Sequence, residues 1–337
     1  MTSLSGAQLN SDQLHRIIRL QAAVASEGLD LNRIMNLVVD DVVSLLDCDG
    51  AVIELVDDDW LLYAAVAGRS PDLLGLRLSR SGSLSGLCLA QNALLHCRDA
   101  LTDPRVDPRA CAKVGLRSML VLPLHFREET VGVLKALSAT PDHFGDADAA
   151  VLEQLCSSLS AALYYASRYS DNNLFWLATH DGLTGLANRV RWLEQLHLAL
   201  ERRQADARIG VVLLDLDGLK RINDHWGHSA GDLALQAAGE RISAVVAERG
   251  LVARLSGDEF AVLLPELSDA HPLSALMAAI EQAMQQPLLS PHGSLPLASS
   301  AGAACLPDDA SSIGTLLELA DQRLYANKRQ RQQQQQA

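Results

Sequence analysis

Residues 209–217 read IGVVLLDLD, a run of apolar β-formers that ends in two aspartates. A strand with apolar residues on both faces offers no side to water, so it belongs in the centre of a sheet covered on both sides. Its end has the opposite character. Asp215 and Asp217 stand at i and i+2, which puts them on one face of a strand. Two like charges so placed are costly unless something neutralises them. Two readings follow: a solvated strand end, or a magnesium site, because Mg²⁺ takes hard oxygen ligands and shares them with substrate phosphates.

The next segment, GLKRINDHWGHSAGDLAL, crowds Asn223, Asp224, Gly227, His228, Gly231 and Asp232 into ten positions. Taken singly, each is loop chemistry or a helix cap; Asp232 suits the N-cap of a helix over Leu233–Val246. Further on, LVARLSGDEFAVLLP places two β-type runs around Ser256–Glu259. That pattern predicts a tight hairpin, with Gly257 supplying the unusual backbone angles and Asp258 and Glu259 adding a second carboxylate pair at its tip.

The 337 residues are enough for two ordinary domains. In the first half, helical spacing runs from Leu14 to Leu46 (Leu14, Ile17, Ile18, then Ile34, Leu37, Val38, Val42, Leu45), and Gly28 divides it into two helices. AVIELVDDDWLLYAAVAG predicts two strands around the acidic turn Asp57–Asp59, SLSGLCLAQN a short helix, and SMLVLPLHF and TVGVLKALSA two strands around Arg127–Glu129. A long helix follows. Asp146 is its expected N-cap, and Val151, Leu152, Leu155, Leu159 and Leu163 form an apolar stripe. The stripe packs either on its own domain or in a parallel coiled coil between subunits.

Bulk properties exclude several functions. A formal net charge of -13 argues against nucleic-acid binding and against docking on an anionic membrane. No uninterrupted apolar stretch reaches transmembrane length, and MTSLSGAQLNSDQL lacks a basic n-region and an apolar h-region. The six cysteines (Cys48, Cys88, Cys97, Cys111, Cys156, Cys305) form no C-x-x-C pair, which suits reduced thiols. A cytoplasmic protein is expected. The polar residues 1–13 are expected to fray, and the glutamine run Gln332–Gln336 to lack structure.

Five segments in order, DGLTGLANR (181–189), LDLDGLKRIND (214–224), GH…GD (227–232), RLSGDEF (254–260) and LYANK (324–328), resemble the GGDEF family of diguanylate cyclases from about Leu174 to Lys328. The first half resembles a GAF domain over about residues 28–165, through Phe144 ahead of the long helix, GLRSMLVLPL with Pro123, and VGVLKAL. The implied fold is α/β (α+β): a GAF domain with an antiparallel sheet and flanking helices, then a GGDEF domain with a nucleotidyl-cyclase-like central sheet surrounded by helices, joined by a helical linker. The implied layout is an N-terminal helix or tail over 1–27, GAF over 28–165, a linker helix over 146–174, GGDEF over 172–330 and a Gln-rich tail over 331–337.

The resemblance implies condensation of two GTP into cyclic di-GMP by a homodimer, with two Mg²⁺ (or Mn²⁺) per active site. It assigns metal binding to Asp215, Asp258 and the Leu216 carbonyl, and places Glu259 beside the metals and the reacting hydroxyl. It gives guanine to Asn223 and Asp232, and phosphate contact to Lys220 and Lys328, with Arg254 and Gly257 nearby. A carboxylate at Asp232 suits guanine N1–H and N2. A small ligand of the GAF domain is implied without an identity; a bilin would need a Cys-His pair, and Ala112 follows Cys111.

Three departures stand out. Ser256 replaces the first glycine of the motif. Lys328 is followed by RQRQ instead of Gly-Arg-Asn, leaving Arg329 or Arg331, or nothing, in the phosphate-binding role. The product-inhibition site, Arg-x-x-Asp, falls on Ala247 and Gly250, so no inhibitory site is expected. The rival readings are a catalytically weak GGDEF regulator that binds nucleotide or a partner, and a cyclase for another nucleotide.

Overall fold

The computed structural model describes residues 14–15, 17–20, 22, 30–69, 71–126, 129–168, 174–204, 207–267, 272–290 and 293–336. The expected frayed tail 1–13, Gly28 and Arg127 lie outside them. The chain divides into two compact units, Met1–Ala178 and Thr179–Ala337.

The first unit runs α1 (Leu31–Leu46), β1 (Gly50–Asp57), β2 (Trp60–Gly68), β3 (Arg77–Ser79), α2 (Leu84–Gln91), β4 (Leu95–Cys97), α3 (Pro108–Lys113), β5 (Ser118–Phe126), β6 (Glu129–Ser138), α4 (Asp146–Arg168) and α5 (Leu174–Thr179). Asp30 caps α1 by accepting from the Arg33 N–H at 3.1 Å. The strands pair antiparallel in the order β3-β2-β1-β6-β5-β4. Alternation along β1 sends Ala51, Ile53 and Leu55 into one core with Ile34, Val38 and Val42 of α1 and Val151, Leu152, Leu155 and Leu159 of α4. The stripe on α4 is therefore used inside its own unit as far as Leu159; the Leu163 side chain lies outside the described residues. Asp146 is the first helical residue of α4 and not its cap. Gly145 takes that place, and its N–H donates to Asp148 Oδ2 at 2.7 Å.

The opposite face of this sheet packs Leu61, Met119, Val121 and Val133 against Leu84, Cys88 and Leu89 of α2 and against Cys97 and Cys111. It also buries an ion pair between Lys135 Nζ and Glu54 Oε1, with side chains 7% and 0% exposed. Burial and the Asp103 contact push the Cys97 thiol up to about 12, and burial raises Cys111, so neither is a ready nucleophile.

The second unit runs α6 (Arg189–Arg202), β7 (Ile209–Leu216), α7 (Leu219–Trp226), α8 (His228–Val246), β8 (Leu251–Ser256), β9 (Glu259–Leu264), α9 (Leu273–Met284), β10 (Leu288–Ser290), β11 (Gly293–Leu295), β12 (Ser299–Leu306) and α10 (Ile313–Gln336). Its four-stranded sheet has the order β12-β7-β9-β8, antiparallel throughout, so the IGVVLLDL strand is internal as its composition demands. Val212, Leu214 and Leu216 face a core with Ala234, Ala238 and Ile242 of α8 and Phe260 and Val262 of β9. On the other side α10 lies directly on β12. A Cβ on Gly302 would come within 2.1 Å of the Leu324 nitrogen and 2.2 Å of the Ala320 oxygen, so only glycine permits this approach. The mixed α/β class holds in both units. The glutamine run differs from expectation: α10 continues through Gln336, since glutamine is a good helix former and no Gly or Pro interrupts it.

Candidate active site

Sheet register brings the two carboxylate clusters together. Asp215 at the end of β7 is paired with Glu259 on β9 and with Ser300 on β12. The β8–β9 hairpin turns at Gly257 (φ +43°) and Asp258. The Asp258 carbonyl accepts from the Leu216 N–H at 2.9 Å, which ties the tip to the strand end beside Asp215. Glu259 is exposed and accepts from Ser256 Oγ at 2.6 Å. Ser256, the departure from the family's double glycine, thus gives its cross-strand neighbour a hydrogen bond that glycine lacks.

Lys328 on α10 donates from Nζ to Asp215 Oδ2 at 2.7 Å. The other carboxylate oxygen, Oδ1, is buried and without a partner. Burial raises the Asp215 pKa above the ordinary value; the Lys328 hydrogen bond opposes this, and the charges of Asp258 and Asp217 add to it. Burial disfavours the charge on Lys328, but the Asp215 hydrogen bond together with the negative charges of Asp215, Asp258 and Asp217 prevails, and the lysine is raised. Asp217 lies past the strand end, with Ser300 Oγ 3.0 and 3.1 Å from its two carboxylate oxygens.

These residues fit a hydrated divalent cation. Among the described residues no three His, Cys, Asp or Glu side chains form a closed cage. Mg²⁺ does not need one, because it keeps waters and takes the rest of its shell from one or two carboxylates and substrate phosphates. The orphaned Asp215 Oδ1 and the carboxylates of the hairpin tip supply such an open set.

Asn223 and Asp232 are drawn together by the α7–α8 turn. Asn223 Oδ1 is buried without a partner, and it lies so near Gly231 that a Cβ there would meet it at 1.9 Å. The next residue, Asp232, is exposed. The N-cap reading of Asp232 fails: α8 starts at His228 behind Gly227, one turn earlier than expected, and leaves Asp232 within the helix. Lys220 is exposed on the first turn of α7. Arg254 has its donors engaged elsewhere. Nη1 is 3.1 Å from both oxygens of Asp181, while Nε and Nη2 reach the Gly257 carbonyl at 2.9 and 2.8 Å.

Residues 178–334 match the diguanylate cyclase GGDEF domain, and residues 28–163 match a GAF domain. The chain is 37% identical over 152 residues to an uncharacterized 19.3 kDa protein of Streptomyces ambofaciens, covering 45% of this chain and 79% of that one. The chain belongs to the GGDEF family. It is also 36% identical over 193 residues to the diguanylate cyclase TpbB of Pseudomonas aeruginosa, covering 55% of this chain and 44% of TpbB. With the bifunctional diguanylate cyclase/cyclic di-GMP phosphodiesterase MucR of the same organism it shares 36% over 180 residues, 53% of this chain and 26% of MucR. The chain spans less than half the length of these two enzymes.

Ala247 and Gly250, the positions at which the sequence predicts no inhibitory arginine and aspartate, lie just past the end of α8. The neighbouring Arg249 turns back on that helix: Nε donates to the Val246 carbonyl at 3.2 Å, and Nη2 to the Val245 carbonyl. Sequence reading missed the Lys328–Asp215 pair, the Ser256–Glu259 bond and the Arg254 clamp. The residues themselves carried no signal for these contacts, which depend on tertiary placement.

Proposed function

We propose that this protein condenses two GTP into cyclic di-GMP and two pyrophosphates. The observation that carries the reading is the convergence of Asp215, the Asp258 tip and Glu259 at one end of the central strand. Asn223 and Asp232 bind guanine: the carboxylate accepts from N1–H and N2, and the orphaned Asn223 Oδ1 is a free acceptor facing the same turn. Lys220 and Lys328 receive phosphate charge. Asp215, Asp258 and the Leu216 carbonyl hold Mg²⁺ or Mn²⁺, two per site, and Glu259 stands by the 3′-hydroxyl that attacks. Held there, such cations would supply Lewis-acid chemistry, lowering the pKa of that hydroxyl and offsetting charge on the α-phosphate and the departing pyrophosphate. Arg254 contributes by holding the tip, since its donors are spent on Asp181 and Gly257.

Each site holds one GTP, so two GGDEF units must face each other, and a homodimer is required at least during turnover. The GAF domain regulates the reaction, in response to a small ligand or by pairing subunits. The proposed setting is the cytoplasm; among the described residues no helix is long and apolar enough to cross a membrane.

One observation favours a second reading. Lys328 already occupies Asp215, which suits a catalytically weak regulator that binds nucleotide without turnover. Incubation with GTP and Mg²⁺, followed by mass spectrometry of the products, separates the two.

A further inference from the structure

The seam between α10 and the sheet is fitted at several points. Gly302 admits the helix backbone, and Asn327 Oδ1 accepts from the Ala301 N–H at 3.2 Å. Beyond it, two cations one turn apart on α10 meet two carboxylates two residues apart at the strand end. Lys328 donates to Asp215 at 2.7 Å, and Arg331 Nη1 stands 4.0 Å from Asp217 Oδ2. Residues at i and i+3 are neighbours on a helix, and residues at i and i+2 share a strand face, so the pairs match in geometry as well as charge.

Asp217 is held from its other side too. Ser300, fully buried, places Oγ against both carboxylate oxygens, and the Asp217 N–H donates to the Ala298 carbonyl at 2.8 Å. The second arm of Arg331 is ion-paired with Glu281 of α9. Both arms of the guanidinium are therefore engaged with carboxylates.

We infer that Arg331 is a positioning residue that holds Asp217 against Ser300 and neutralises it, so that of the two strand-end carboxylates only Asp215 takes a divalent cation. This inference rests on the metal-dependent reading of the site. It gives Arg331 a different task from the phosphate contact left open by the missing Gly-Arg-Asn. Without Arg331, Asp217 keeps its charge beside Asp215 and turns away from Ser300 more easily. A cation then meets two carboxylates instead of one.

The test is a Mn²⁺ titration of the full, nucleotide-free chain by electron paramagnetic resonance, alongside steady-state kinetics with GTP. Arg331→Met is expected to bind Mn²⁺ about three- to tenfold tighter, because a nearby positive charge is gone. It also lowers kcat, since a released Asp217 draws the cation off its place, while KM for GTP stays within about twofold. Arg331→Lys restores the charge and moves both readouts back toward the parent. Ser300→Ala frees Asp217 from the other side and tightens Mn²⁺ in the same direction, so the inference stays testable if Arg331→Met does not fold. Unchanged Mn²⁺ affinity in both variants overturns it. So does a rise of about tenfold in KM for GTP with kcat kept, the mark of a phosphate ligand. If the parent protein makes no cyclic di-GMP, the proposed function fails, and the Mn²⁺ titration still decides the role of Arg331.

Discussion

Lys328 Nζ and Asp215 Oδ2 lie 2.7 Å apart, so the carboxylate at the end of the central strand meets a protein cation before any substrate cation arrives. Burial and the Asp258 and Asp217 charges nevertheless leave the Asp215 pKa raised, despite the Lys328 bond. A raised folded pKa gives stability that is fully present below the unfolded value of about 3.9 and is lost as pH rises through the folded value. Ionised Asp215 therefore costs stability at neutral pH. Asp215→Asn should melt at or above the parent at about pH 7.5 in EDTA, with the advantage gone near pH 4. Scanning calorimetry at both pH values checks this. A variant that melts below the parent at neutral pH means the lysine bond outweighs burial.

The Asp181–Arg254 clamp has the opposite sign. Burial opposes ionisation of Asp181, but hydrogen bonds from Thr184 and the Arg254 charge prevail and lower its pKa. The stability it adds is present above about pH 3.9 and disappears as pH falls through the lowered value. Asp181→Asn should cost about 1.5–3 kcal/mol at neutral pH, the range for a hydrogen bond to a charged group. The penalty should shrink toward pH 3. Urea melts across that range measure it, and a pH-independent penalty would assign the effect to the Thr184 contacts instead.

The parts of the site legible in the sequence are those set by short-range pattern. The apolar run that became β7, the hairpin around Gly257 and the carboxylates at both ends follow from periodicity and turn chemistry over a few residues. The Asp232 N-cap reading failed because helix start signals are ambiguous where Gly227 and Gly231 both flank the turn, and Gly227 won. What stayed hidden spans long distances: Lys328 is 113 residues from Asp215, Lys135 is 81 from Glu54, and Arg254 is 73 from Asp181. No local pattern identifies such partners. The α4 stripe fitted both an internal core and a coiled coil, since each needs the same spacing, and sheet packing decided in favour of the core as far as Leu159.

The Glu54–Lys135 pair in the first unit yields a sharper stability test. Both side chains are almost wholly buried. Lys135→Met leaves a buried carboxylate without its partner and should cost about 3–5 kcal/mol. Replacing both, as Glu54→Leu with Lys135→Met, should recover most of that loss, because two apolar groups need no counter-charge. Denaturant unfolding of the four proteins in a double-mutant cycle reads the coupling. Additive losses would show that the two residues do not depend on each other.

Product should not hold the enzyme back. Ala247 and Gly250 cannot make charge-assisted hydrogen bonds to cyclic di-GMP, and Arg249 is occupied with the Val245 and Val246 carbonyls. Progress curves with added cyclic di-GMP are expected to overlay those without it. Calorimetry with a non-hydrolysable GTP analogue in the active site should show no tight product binding. Inhibition together with such binding would place an inhibitory site on another surface.

The most direct measurement is the identity of the product. The full chain is incubated with GTP and Mg²⁺, then with Mn²⁺, and the mixture is resolved by mass spectrometry beside an Asp258→Asn variant whose fold is checked by circular dichroism. The account predicts cyclic di-GMP and pyrophosphate from the parent, with the rate per subunit rising as subunits pair. It predicts no product from Asp258→Asn, because losing a metal carboxylate removes several kcal/mol of charge stabilisation. A folded parent that binds GTP but yields no cyclic di-GMP with either metal, at any protein concentration, would contradict it.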